Sequence, residues 1–263
     1  MFPPELPPVS NRALYVYRIF VKLFSFFIFG FCSIILAILV IPLMRCVLHP
    51  RTRFQKYGRR FISLALRFFV FIMHSLRGLD MEVENRESYR HLSSKIVVAN
   101  HPSLLDVVML FSLIPNADCI VNANLANNIL RGIVRQLYIL NSREFDDIIN
   151  TCRESLQHGN CLIIFPEGTR TPRKGKVILK KGAARISLAT GYNIVPVHIG
   201  GTDKYGLGKK DPIFSFNPRE RYVYCIKRGE EINPEKFKDL PMPAAAKSIT
   251  REMAAFLFPE TGV

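Results

Sequence analysis

Two kinds of hydrophobic pattern divide the chain. From Leu23 to Met44 no charged residue interrupts 22 positions, which as a helix at about 1.5 Å per residue reach roughly 33 Å, close to the hydrocarbon thickness of a bilayer. A second apolar segment, Phe61 to Leu76, has 16 residues and is broken by Arg67 and His74, so it is short for a span. From about Asp80 onward the apolar runs are brief and change period. Strands are predicted over 81–84, 95–100, 118–122, 137–140, 160–165, 193–199 and 220–228, and helices over 104–113, 126–135, 144–157, 180–190 and 244–257. In 144–157, Phe145, Ile148, Ile149, Cys152 and Leu156 fall on one face, and Asn141 and Glu144 are spaced like a capping box. This alternation predicts an α/β domain over 80–263, a mostly parallel sheet of about seven strands flanked by helices, with sites at the carboxyl ends of the strands. Residues 1–79 form the membrane-anchoring part, either one helix or a two-helix hairpin. Residues 203–219, with Gly206, Gly208, Pro212 and Pro218, predict a long loop placed to cover a site.

Charge sharpens the first third. The 263 residues carry 36 Lys and Arg against 21 Asp and Glu, a net +15, and residues 1–80 hold eleven of the bases with only two of the acids. The basic stretch from Arg45 to Arg60 lies between the two apolar segments and should face anionic head groups on the cytoplasmic side. Three arrangements fit: a spanning helix followed by an interfacial one, a hairpin dipping into one leaflet, or a first helix with 61–76 inside the globular core. Arg45-Cys46 stands where a cleaved signal would need small residues. Because the charge excess sits beside the apolar run and no reading motif appears, nucleic acid is not an expected partner. The six cysteines form no Cys-x-x-Cys pair and no cluster with the six histidines, so they read as reduced packing residues and no metal site is expected.

The chemistry concentrates in two stretches. Ile96-Val97-Val98-Ala99 predicts a buried strand, and Asn100-His101-Pro102-Ser103-Leu104-Leu105-Asp106 follows it. Pro102 suits a first helical turn and keeps His101 outside the helix, at its cap. Residues five apart within one helix would lie about 140° apart, so only a His held outside can meet Asp106, whose side chain leans back toward the N-terminus. The carboxylate would accept one ring N–H and leave the other nitrogen to take a proton, as in serine hydrolase triads. No Gly-x-Ser-x-Gly elbow supplies a nucleophile, and no motif marks Ser103 as one. His101 therefore reads as a base toward a substrate hydroxyl. The second stretch, Phe165-Pro166-Glu167-Gly168-Thr169-Arg170, leaves the strand 160–165 through a turn in which Arg170 offers a planar fork for phosphate oxygens. His198, on a predicted strand, reads as a packed histidine.

With Lys180-Lys181-Gly182-Ala183-Ala184 and Ile194-Val195-Pro196-Val197, these stretches make four blocks in order, and from about Leu79 to Thr202 the chain resembles the glycerolipid acyltransferase family typified by 1-acylglycerol-3-phosphate acyltransferase. The resemblance implies His101 as base assisted by Asp106; Glu167, Gly168, Thr169, Arg170 and Lys181 at the acceptor phosphate; and Pro196 in the acyl and active-site wall. Many members carry a Lys about twenty residues after the His; the local match here offers Asn122, so Asn122 and Gly168 are the candidate oxyanion donors. The implied enzyme moves a fatty acyl group from acyl-CoA or acyl carrier protein to the free hydroxyl of a lysophospholipid, at an anionic membrane surface. No cofactor is implied, and the catalytic domain should face the cytoplasm, at the inner membrane if bacterial. The alternatives are another lysolipid or a specialised ornithine-type or polyene lipid as substrate, or a non-catalytic module that binds anionic lipid.

Overall fold

The computed structural model describes residues 8–122, 137–141, 144–173 and 175–259. Helix α1 (Arg12–Ile35) opens at Asn11, whose side chain accepts the Leu14 N–H, and runs through a π-helical turn (Leu36–Val40) into α2 (Ile41–Val47). Residues 12–47 thereby form one helix of 36 residues. Pro42 lacks an N–H and its ring crowds the carbonyl four residues back; the wider turn just before it absorbs that conflict. Helix α3 (Arg51–Ser75) returns antiparallel. Tyr17 OH donates to the Leu76 carbonyl at 3.2 Å, Phe29 and Phe69 rings lie 5.2 Å apart, and Ile41 packs with Phe54 and Ile62.

The remaining α-helices and strands among the described residues are β1 (Leu79–Val83), α4 (Arg86–Arg90), β2 (Ile96–Ala99), α5 (Asp106–Leu113), β3 (Ala117–Asn122), β4 (Ile139–Asn141), α6 (Phe145–Gln157), β5 (Cys161–Ile164), α7 (Gly182–Thr190), β6 (Ile194–Gly201), β7 (Tyr222–Arg228) and α8 (Met242–Leu257). The strands lie in the order β1-β7-β6-β2-β5-β3-β4, parallel except where β6 meets β7. Six of them form the continuous body of the sheet. The expected seventh, β4, is a three-residue edge piece pairing only with Ile120 to Asn122. The predicted helix 126–135 lies outside the described residues, and the five-residue α4 was not expected.

Strand β2 sits between β5 and β6 and is buried on both faces, as its unbroken apolar run requires. Its alternate residues feed two cores. Val97 and Ala99 join α5 and the C-terminal half of α3 on one face, while Ile96 and Val98 join α6, α7 and α8 on the other. Two expectations at helix starts change. Helix α6 begins at Phe145 with Glu144 at its cap and no side-chain cap bond, because Asn141 is spent as the last residue of β4, so the capping box does not form. Helix α5 begins at Asp106 rather than Leu104, with Leu105 at the cap, so His101 stands five residues ahead of it rather than at its cap.

Helix α3 combines two of the sequence readings. It is the second arm of a hairpin, and Phe69, Val70 and Met73 are also part of the domain core. Arg59 pairs with buried Asp118 of β3 at 2.8 Å, and Arg67 Nε donates to the Ser112 carbonyl at 3.4 Å. Its outer face, Phe61, Leu64, Phe68 and Phe71, stays exposed, as does a stripe of α1 that includes Val16, Phe20, Phe24, Phe27 and Phe31. Lys22, which closes the uncharged run, is buried; its Nζ donates to the carbonyls of Gly206 (3.3 Å) and Ser215, tying α1 to the 203–219 loop.

Candidate active site

Neighbouring parallel strands β2 and β5, registered at Val98 and Ile164, deliver both motifs to the carboxyl edge of the sheet. Three bonds then clamp the two loops. The His101 N–H donates to Glu167 Oε1 at 2.8 Å, the Thr171 N–H donates to the His101 carbonyl at 2.7 Å, and the Thr171 hydroxyl donates to the same Glu167 oxygen at 2.8 Å. Asn100 fixes the other side, its side chain exchanging two bonds with the Ile199 backbone at 2.9 and 2.7 Å and so continuing the β2–β6 ladder one step further.

His101 Nδ1 lies 2.8 Å from Asp106 Oδ2. A carboxylate can only accept, so Nδ1 carries the hydrogen, and in the neutral ring the other nitrogen keeps its lone pair. The ring is stacked on Phe165, centroids 4.2 Å apart. Asp106 is fully buried and also receives the Ser103 N–H at 2.7 Å and the Ser103 hydroxyl at 2.6 Å. Burial pushes its carboxyl upward, and the bonds from His101 and Ser103 pull against that. Ser103 Oγ gives its one proton to Asp106 and faces Tyr224 OH at 2.8 Å and the Leu105 N–H at 3.2 Å. Fully buried and fully committed, it has nothing left for a nucleophilic role.

At the second motif, Arg170 Nη1 donates to the carbonyls of Leu207 (3.0 Å) and Gly208 (2.8 Å) in the 203–219 loop. The Leu104 N–H reaches the same Leu207 oxygen at 3.0 Å, so one carbonyl bridges the guanidinium and the loop that leads into α5. Its Nε and Nη2 have no protein partner among the described residues. Gly168 adopts φ +67°, a region that favours glycine, and a Cβ there would come within 2.7 Å of Lys180 Nζ. Lys180 thus lies over the turn, whereas Lys181 is the exposed N-cap of α7. Gly168 and Thr169 are exposed, and the Gly168 N–H is already donated to the Phe165 carbonyl at 3.0 Å. Glu167 serves the clamp through Oε1, while its Oε2 is buried without a hydrogen-bond partner; burial pushes this carboxyl up, with Thr171 opposing it first and His101 next.

Pro196 is buried within β6, opposite Val98, and the Asn122 side chain lies outside the described residues. His198 Nδ1 donates to the Leu257 carbonyl of α8 at 2.9 Å, the packed role expected of it. Arg173 bonds Asp203 at 2.8 Å and Asp211 at 3.3 Å, so the 203–219 loop is fastened beside the site. Asn100, Thr171, Lys180, Lys204 and Tyr224 had no role in the sequence reading, although Asn100 and Lys180 stand inside the quoted blocks.

The model of the acyltransferase family matches residues 80–200. The 1-acyl-sn-glycerol-3-phosphate acyltransferase of Saccharomyces cerevisiae is 28% identical over 217 residues, 76% of this chain and 66% of that protein. A probable 1-acyl-sn-glycerol-3-phosphate acyltransferase of Mycoplasma pneumoniae is 26% identical over 217 residues, 78% of each. The match over residues 80–200 and the names of these relatives support an O-acyltransferase. Both motifs lie inside the matched segment, while α1 to α3, the 203–219 loop and β7 lie outside it. The crystal structure of the 1-acyl-sn-glycerophosphate (LPA) acyltransferase from Thermotoga maritima shares the fold, with a TM-score of 0.68 at 22% identity over 95% of this chain and 99% of that one.

Proposed function

We propose that the protein transfers a fatty acyl group from a thioester, acyl-CoA or acyl carrier protein, to the free hydroxyl of a lysophospholipid, with 1-acylglycerol-3-phosphate the favoured acceptor. The observation that carries this is the His101 ring, oriented through Nδ1 by buried Asp106 at 2.8 Å, at a loop junction that also holds Arg170. The open ring nitrogen takes the acceptor's hydroxyl proton as its oxygen attacks the thioester carbonyl. The C–S bond then breaks, and the departing sulfur receives the proton from the imidazolium. Arg170, with Nε and Nη2 turned to no protein group among the described residues and Lys180 over the neighbouring turn, holds the acceptor phosphate. The names of the curated relatives support this choice of acceptor.

The test is thiol release by the purified protein in mixed micelles, with lysophosphatidate compared against a neutral monoacylglycerol. Arg170→Ala should raise KM for the phosphate-bearing acceptor by about tenfold to a hundredfold, the worth of one or two charge-assisted hydrogen bonds. It should leave KM for the neutral one nearly unchanged. Equal KM values for lysophosphatidate in variant and wild type would remove Arg170 from the phosphate.

The hairpin lies in one leaflet rather than across the bilayer. At about 1.5 Å per residue, the 36-residue helix is some 54 Å long, well beyond the roughly 30 Å of hydrocarbon. It packs antiparallel along α3, and α3 is bound into the domain from Arg59 to Met73. Crossing the bilayer would therefore drag the sheet with it. The exposed apolar faces of α1 and α3, together with Ile213 and Phe214, supply the lipid contact, with the domain on the cytoplasmic side. Cysteines introduced at Asn11 and His49, at the two ends of the long helix, should react with a membrane-impermeant maleimide from the same side of sealed vesicles; reaction from opposite sides would establish a span.

A further inference from the structure

Behind the His101–Asp106 pair runs a line of polar groups to which the reaction above gives no task. Ser103 has one hydroxyl proton and gives it to Asp106 Oδ1 at 2.6 Å, so Tyr224 OH, 2.8 Å away, must be the donor to Ser103 Oγ. Tyr224 is fully buried on β7. Over its ring, 4.7 Å from the centroid, sits Lys204 Nζ, and this lysine is 1% exposed. Its amine donates to three carbonyls, those of Gly200 at 3.2 Å, Val223 at 2.8 Å and Thr202. An ammonium has three N–H groups and a neutral amine two, so this cage holds the charged form.

A buried ammonium is costly in a place that a methionine would fill, and among the described residues no carboxylate touches it. Burial draws it down to about 8, and among the charges that pull it back up Asp106 comes first. The titratable groups facing it are Asp106 from α5, Tyr224 and Cys225 from β7, Asp203 beside it and Glu220 ahead of β7. Those facing His101 are Asp106 and Glu167.

We propose that Lys204, acting through Tyr224 and Ser103, is the counter-charge of the His101–Asp106 pair: it holds Asp106 ionised and keeps the pair from taking up a proton at neutral pH. The three are positioning residues, and none of them meets substrate. The idea rests on the reading of His101 as the base. A buried carboxylate by itself draws a proton onto the imidazole beside it, which would leave the base already occupied. A fixed positive charge on the carboxylate's far side opposes that proton. The cation over the phenol ring also strengthens the Tyr224 O–H as a donor, and the effect passes along Ser103 to Asp106.

The test is the pH dependence of kcat/KM for the full chain in micelles. Removing a positive charge raises the proton affinity of the coupled pair, so Lys204→Met should move the acid limb upward by about one pH unit or more, a tenfold loss below the limb. At high pH the rate should approach that of wild type. Tyr224→Phe keeps the ring and the cation contact but breaks the chain, and should move the limb in the same direction by less. If Lys204→Met does not yield folded protein by circular dichroism, Tyr224→Phe decides. A limb that stays in place in a folded variant, with or without a uniform drop in kcat, overturns the proposal. The carbon-13 signal of the His101 ring in unliganded protein, assigned among the six histidines by its loss in His101→Gln, gives an activity-independent reading. Should His101→Ala stay active, the base assignment falls, yet that ring's titration in Lys204→Met still reports whether the lysine acts on the pair.

Discussion

His101→Ala is expected to lower kcat by at least roughly 10²–10⁴-fold, the usual worth of a positioned general base, with KM for the acceptor little changed. The geometry makes this a clean substitution. The backbone N–H and carbonyl that clamp the two motif loops, to Glu167 at 2.8 Å and from Thr171 at 2.7 Å, belong to the main chain and survive the change. Asp106 keeps both of its bonds from Ser103. Arg170 keeps its carbonyl partners in the 203–219 loop. What disappears is the ring, with its stack on Phe165 and its open nitrogen. Thiol release measured at saturating donor, over a range of lysophosphatidate concentrations, separates the two constants. A variant holding more than half of the wild-type kcat would show that the hydroxyl proton leaves by another route.

The pair was readable from the chain because its determinants are local. Pro102 stops the helix from starting early, the five-residue spacing forces His101 outside it, and the backward lean of the Asp106 side chain closes the gap. The clamp was half readable: β2 and β5 announce themselves as short apolar runs, but nothing in either run says that they are neighbours. That is set by the sheet order β1-β7-β6-β2-β5-β3-β4, which departs from chain order at every central strand. For the same reason Lys204 and Tyr224 could not be seen beside Asp106. They come from a loop and a strand more than ninety residues further on, brought over by the antiparallel turn of β7 against β6. The basic run misled in a different way. Counted by charge, Arg59 belongs with the head-group-facing stretch Arg45 to Arg60, yet it is buried 2.8 Å from Asp118. Composition reports how many charges a segment carries, and only packing decides which of them meet water.

Arg59 accordingly carries the largest stability effect expected of a single change. Its guanidinium, 7% exposed, pairs with Asp118, 1% exposed, and also donates to the Leu137 carbonyl at 3.2 Å. Asp118 is held further by the Ser155 hydroxyl at 2.7 Å and the Cys119 N–H at 2.9 Å. Burial pushes the Asp118 carboxyl up, and the charge of Arg59 is the strongest pull in the other direction. Arg59→Met leaves that carboxylate buried without its counter-charge, which costs about 3–5 kcal/mol out of a typical 5–15. A thermal melt should fall by roughly 6–20 °C. The sign with pH follows: without the guanidinium, Asp118 is protonated in the folded state at a higher pH than in the unfolded chain. The penalty is therefore full well above the ordinary carboxylate range and shrinks as the pH is lowered toward it. Adding Asp118→Asn removes the second charge while keeping an oxygen for the Cys119 N–H, and should restore most of the loss. Sedimentation with anionic liposomes should persist in Arg59→Met, since the exposed apolar faces of α1 and α3 are untouched. Loss of the melt with retention of the vesicles would show that α3 is both the floor of the membrane hairpin and a wall of the domain core. A melt unchanged in Arg59→Met would mean that the attachment of the hairpin to the sheet does not depend on this ion pair.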